Sequence, residues 1–194
     1  TLELFCNGQP MHVARWPNEG FREIVKVVDQ GSPAEKRGFV FQYDGDRPLR
    51  WQQAKDAWLY GYWQHLWADR SVAVAAIDTA ARQIATLPAG VQEVRETYPY
   101  CVFNLLEEID QPGEWYLDRA TGVLYFYAPV DPKEAVIELS MLAAPLVELD
   151  SVSHVAFERL TFELGRTDGL VIRGGDHCLV AGCTVRNLGG TGIQ

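Results

Sequence analysis

The sequence predicts a mainly β protein. A β-rich N-terminal domain with one or two short helices is expected over residues 1–144, followed over 145–194 by the first coils of a parallel β-helix that is cut short. Three observations carry this prediction. The composition is that of an ordinary folded chain: 47% apolar and 22% charged residues, with 17 Gly and 10 Pro supplying turns. Hairpin dipeptides separate alternating apolar segments through the first two thirds of the chain. The last fifty or so residues repeat at an offset of 23.

The N-terminal elements follow in order. Residues 2–5 alternate like a strand, and Asn7-Gly8 is a favoured hairpin turn leading into a second strand over 11–16. Residues 23–28 and 39–43 are further strands. Trp51, Ala54, Trp58 and Tyr62 fall at helical steps, so 51–63 is expected to be a helix. Residues 71–77 and 83–86 read as paired strands. Residues 104–109 read as a helical turn stopped by Gln111-Pro112-Gly113. Residues 114–118 and 123–127 flank Arg119-Ala120-Thr121-Gly122, a strong hairpin signal, and a last strand covers 135–139. The stretch Gly31-Ser32-Pro33-Ala34-Glu35-Lys36-Arg37-Gly38-Phe39 resembles part of a PDZ domain. The carboxylate-binding loop and groove helix of that domain are missing, so the stretch is read as a loop before a strand.

The repeat is carried by apolar columns. Val147, Leu170 and Ile193 align, as do Leu149 with Ile172, Val155 with Cys178, Phe157 with Val180, Leu160 with Cys183, and Phe162 with Val185. Within each repeat these positions come in pairs two apart, the period of a strand with one face inward. Turn material lies between them: Asp150-Ser151, Gly165-Arg166-Thr167-Asp168-Gly169, Gly174-Gly175-Asp176 and Asn187-Leu188-Gly189-Gly190. Recurrence of the same columns one repeat later describes coils stacked as parallel strands. An antiparallel sandwich edge is the competing reading. The pattern is still running at Gly192-Ile193-Gln194, and Thr1-Leu2-Glu3-Leu4-Phe5 already alternates, so both ends are expected to be cut from something longer.

Charge and cysteine usage narrow the functions. A net charge of −9 argues against nucleic acid, whose binders present basic patches. No apolar run approaches the roughly 18 residues of a membrane span, so no membrane partner is expected. Cys6, Cys101, Cys178 and Cys183 show neither zinc-ligand spacing nor a disulfide framework and are read as free thiols. His12, His65, His154 and His177 show no triad or metal spacing, so no metal site is expected. His154 and His177 share a repeat column, which suggests a stacked turn position. No cofactor is implied.

Several motifs resemble a known family. Met11-His12-Val13-Ala14-Arg15-Trp16-Pro17-Asn18, Asp46-Arg47-Pro48-Leu49-Arg50-Trp51, Trp58-Leu59-Tyr60-Gly61-Tyr62-Trp63 and Pro112-Gly113-Glu114-Trp115-Tyr116-Leu117-Asp118 with Thr121-Gly122 resemble the front half of large bacterial right-handed parallel β-helix proteins of the pectate-lyase-like type. Many of these are secreted glycoside hydrolases or polysaccharide-degrading proteins. The resemblance implies a right-handed coil, a secreted or periplasmic location, a polysaccharide partner and further coils bearing the catalytic groups. It transfers no catalytic residue to this chain, so the catalytic residues are unknown and the fragment is expected to lack the active site. A non-catalytic carbohydrate-binding or structural module is the alternative.

Candidate substrate-binding residues are Arg15, Trp16, Trp63, Glu107, Glu108 and Asp168. Glycoside hydrolysis needs a pair of carboxylates, and Glu107 and Glu108 cluster in sequence with Asp110 and Glu114. The bland reading makes Glu107 and Glu108 a solvated or capping pair and Asp168 a turn residue. Arg15 beside Trp16 and Asp46 beside Arg47 are read as an internal ion-pair and stacking cluster. Trp16 and Trp63 carry the flat apolar faces that stack on sugar rings, although core packing is the commoner use of tryptophan. Arg159, Arg166, Arg173 and Arg186 form no ladder at the repeat spacing, so a groove for acidic sugars is not supported. An unfinished coil exposes unpaired backbone groups and an open apolar interior, which predicts a homodimer through that end.

Overall fold

A computed structural model describes residues 2–91 and 93–194, so Thr1 of the expected first strand lies outside the described residues. The described residues form twenty strands and two 3-10 turns, and no α-helix occurs among them. The chain divides into two compact units, one built from residues up to Met11 together with Val130–Gln194, the other from His12–Pro129.

The His12–Pro129 unit is organised by an antiparallel eight-stranded sheet. In order, its strands are Arg15–Trp16, Pro99–Phe103, Trp58–Tyr62, Asp69–Asp78, Gln83–Thr86, Val40–Gln42 and Lys26–Asp29, with Arg22–Glu23 also on Pro99–Phe103. The core sits on one face of it. Phe39, Phe41, Leu59, Trp63, Ile84, Tyr100 and Val102 are all buried there with Trp51. Within this unit Glu114–Asp118 and Val123–Phe126 form the expected hairpin, and the first of them pairs in parallel with His12–Val13.

The helix expected over 51–63 does not form. A 3-10 turn, Arg47–Trp51, ends at the first of its apolar positions, and Trp58–Tyr62 is a central strand paired on both sides. The segment fits both periods. Trp58, Tyr60 and Tyr62 are also two apart, and the strand buries Leu59 and Gly61 while leaving those three half-buried. Aromatic content and two waiting neighbours decide for the strand. Gly61 lets them close: a Cβ there would lie 2.7 Å from the Pro99 carbonyl oxygen. The helical turn expected over 104–109 is present only as the short 3-10 turn Leu106–Glu108. The expected strand 11–16 is broken into His12–Val13 and Arg15–Trp16, which serve different sheets.

In the other unit Leu4–Cys6 is buried between Gln9–Pro10 and Ile137–Leu139, antiparallel to both. The remaining strands pair in parallel: Val147–Asp150 with Leu170–Arg173, Ala156–Glu158 with Leu179–Ala181, and Thr161–Gly165 with Thr184–Leu188. The partners are 23 residues apart throughout, Val147 on Leu170, Phe157 on Val180 and Phe162 on Val185, and Leu170 meets Ile193 in the same sense. The strands are therefore not a sandwich edge, which would have paired them antiparallel. Half-buried Glu163 and exposed Arg186, opposite one another across the pair, make a cross-strand ion pair at 2.7 Å.

Candidate functional site

One sequence-predicted carboxylate, Glu108, is the buried member of an ion-pair cluster in the His12–Pro129 unit, with partly exposed Arg47 and Asp110. Pro48 starts the turn Arg47–Trp51 with a backbone angle suited to it. That turn aims the Arg47 guanidinium and the Trp51 indole at the second turn, Leu106–Glu108. Glu108 is fully buried. Its Oε1 accepts hydrogen bonds from Arg47 Nε at 3.0 Å and from Trp51 Nε1 at 2.6 Å, and its Oε2 accepts from Arg47 Nε at 2.9 Å and Nη2 at 2.5 Å. A carboxylate without water is tolerable only when it is paired and hydrogen-bonded in this way.

Arg47 is shared. Its Nη2 also donates to Asp110 Oδ2, and Asn18 Nδ2 donates to Asp110 Oδ1 at 2.8 Å. The hydrogen bond to Glu108, ahead of the partly offsetting cost of burial, holds the Arg47 guanidinium above the ordinary arginine pKa. Burial pushes the Asp110 carboxyl upward, but the hydrogen bonds from Asn18 and Arg47 outweigh it and leave the group below the usual carboxylate range. Glu114 Oε2 accepts from the backbone N–H groups of Asp110 and Gln111 at 2.8 and 2.9 Å, which fixes the loop that carries Asp110. Arg50 Nη2 donates to the Glu107 carbonyl oxygen at 2.6 Å.

The candidates separate accordingly. Glu108 is neither a solvated nor a capping residue; it is the hub of the cluster. Glu107 beside it is half-buried, with Oε2 shielded and unpartnered. Trp16 packs edge-on against Trp51 at 5.4 Å and carries Arg22 on its own face at 5.4 Å. Arg15 lies over the Phe21 ring and donates to the Gly20 carbonyl oxygen. Trp63 is remote from this group. It is 2% exposed, sits 5.0 Å from the Phe39 ring and donates to the Arg70 carbonyl oxygen, so it is core rather than a sugar platform. Asp168 belongs to the other unit, where Oδ1 accepts from the Thr191 backbone N–H at 2.6 Å, 23 residues further along. Asp46 pairs with Arg82 rather than joining Arg47. Arg47, Trp51, Asp110 and Asn18 complete the cluster. Arg47, Trp51 and Asn18 stand in the resemblance motifs, but nothing local in the sequence joins them to Glu108.

Chemically the cluster is a clamp. Glu108 has no exposed surface to offer a substrate, and its oxygens are committed to three donor groups. Asp110 is committed to two. The sequence showed no metal spacing, yet in the other unit His154, Asp176 and His177 have ligand atoms within 4.8 Å of one another.

No protein-family model matches the sequence, and no curated protein matches it. A solved structure described as "Glycoside hydrolase" is similar to 98% of this chain, with a TM-score of 0.76 and 13% sequence identity. The chain spans 43% of that structure's length. The likeness establishes a shared, mainly β fold.

Proposed function

We propose that this chain is the front part of a secreted carbohydrate-active protein, a glycoside hydrolase acting on a polysaccharide. The carrying observation is the likeness to the glycoside hydrolase structure over nearly the whole chain. In this reading the three parallel strand pairs are the faces of right-handed β-helix coils, and the constant offset of 23 between partners supports it. The His12–Pro129 unit then precedes the main run of coils. Hydrolysis is assigned to carboxylates elsewhere in the longer protein, because Glu108 and Asp110 are consumed by the clamp and Asp168 by a backbone turn. A second copy is the proposed partner at the open end of the coils, where Ile193 is about half exposed.

The test is release of reducing ends by the full-length protein across a panel of plant, algal and bacterial polysaccharides. Cleavage of at least one by the full-length protein and of none by the 194-residue chain is expected. No cleavage of any member would remove the hydrolase reading, and no binding either would remove the carbohydrate reading altogether.

A further inference from the structure

We propose that His154, Asp176 and His177 form a binding site for a first-row divalent cation of the zinc type. The two histidines occupy one position in successive 23-residue repeats. Both have left-handed backbone angles, φ 61° at His154 and 52° at His177. Sharing a conformation and a register, they leave the chain in the same direction. Their rings accordingly stack at 4.9 Å with 23° between planes. Asp176 Oδ2 lies 3.2 Å from His177 Nδ1. One ligand atom from each of the three residues falls within 4.8 Å of the others.

The backbone beneath is fixed. The His154 N–H donates to the Asp176 carbonyl oxygen at 3.1 Å, and the Asp176 N–H donates to Ser153 Oγ at 3.0 Å. Gly175 approaches the lower turn so closely that a Cβ would lie 2.0 Å from the Val152 carbonyl oxygen. Parallel pairs at the same register flank the turn on both sides.

Nitrogen and oxygen ligands about 2.0–2.2 Å from zinc stand roughly 3–4 Å apart. The observed spacing reaches that range through small rotations of exposed side chains. Two imidazoles and a carboxylate suit zinc and its neighbours, whereas calcium and magnesium prefer oxygen alone. Three ligands leave positions for water, and the high exposure of Asp176 and His177 makes the site weaker than a closed structural one.

Isothermal titration of the 194-residue chain with zinc chloride, and separately with calcium chloride, tests this. One zinc per chain is expected, with saturable calcium binding absent. His154→Asn and His177→Asn keep a residue type that tolerates the left-handed backbone and are each expected to weaken zinc by about tenfold or more. Asp176→Asn is expected to weaken it less, and His65→Asn to leave it unchanged. Circular dichroism establishes that each variant is folded, and Asp176→Asn, with the least effect on the turn, serves if a histidine variant is not. Absence of saturable zinc binding up to millimolar concentration would overturn the proposal. So would undiminished affinity in folded His154→Asn and His177→Asn.

Discussion

Arg47 Nε lies 3.0 and 2.9 Å from the two carboxylate oxygens of Glu108, a residue 61 positions further along the chain. Two short turns are thereby bolted together through one charge pair whose acid is fully buried and whose guanidinium is partly solvated. Removing the acid leaves the guanidinium without its main partner and the Trp51 indole N–H without its acceptor. Glu108→Ala is therefore predicted to cost about 1–3 kcal/mol, chiefly through the unsatisfied Trp51 N–H, since Arg47 is partly solvated and keeps Asp110. Urea unfolding followed by tryptophan fluorescence measures it, and a cost under about 1 kcal/mol, the scale of a surface pair, would show that the clamp is not a stabilising element.

Acid should loosen the same cluster. The folded Asp110 carboxyl titrates below its unfolded value, so it adds stability above about pH 4, the ordinary aspartate value, and loses it as pH falls through the lower folded value. The urea midpoint of Asp110→Asn should lie below that of the parent chain at pH 7, and the gap should narrow toward pH 3. A gap independent of pH would assign the effect to packing instead.

Gly61 on Trp58–Tyr62 faces the neighbouring strand Pro99–Phe103 with no room for a side chain. A Cβ there would sit 2.7 Å from the Pro99 carbonyl oxygen and 3.0 Å from Tyr100 Cβ. Gly61→Ala is predicted to destabilise the His12–Pro129 unit by about 1–3 kcal/mol through this overpacking. A thermal melt of the variant checks it, and an unchanged midpoint would mean the strands can separate freely.

Leu179–Ala181 and Thr184–Leu188 each pair with a single strand among the described residues, which predicts self-association along their other edge. Light scattering on the 194-residue chain should show a dimer whose fraction rises with concentration. A monomer at high concentration would mean the edge is protected by its own turns.

Some of this was legible in the sequence and some was not, for a physical reason. In these parallel pairs the partner of a residue lies one repeat away, so Val147 on Leu170 and Phe162 on Val185 could be read from periodicity. The hairpin 114–126 was legible because its turn chemistry is local. Sheet order in the His12–Pro129 unit was not, since Pro99–Phe103 meets Arg15–Trp16 by long-range pairing that no local pattern encodes. The segment 51–63 was not legible, because its aromatics satisfy helical and strand spacing together and tertiary neighbours make the choice. The site divided in the same way. Glu107 and Glu108 stood out as an acidic pair, but the burial of Glu108 and its pairing with Arg47 depend on two turns meeting in space. The stacked histidines followed from the repeat; the approach of Asp176 to them did not.

Nuclear Overhauser contacts between residues 23 apart test the parallel stacking from which the β-helix reading is argued. Backbone contacts joining Val147 to Leu170, Phe157 to Val180 and Phe162 to Val185 are predicted, all in the parallel sense. Antiparallel contacts, or partners at any other offset, would contradict it.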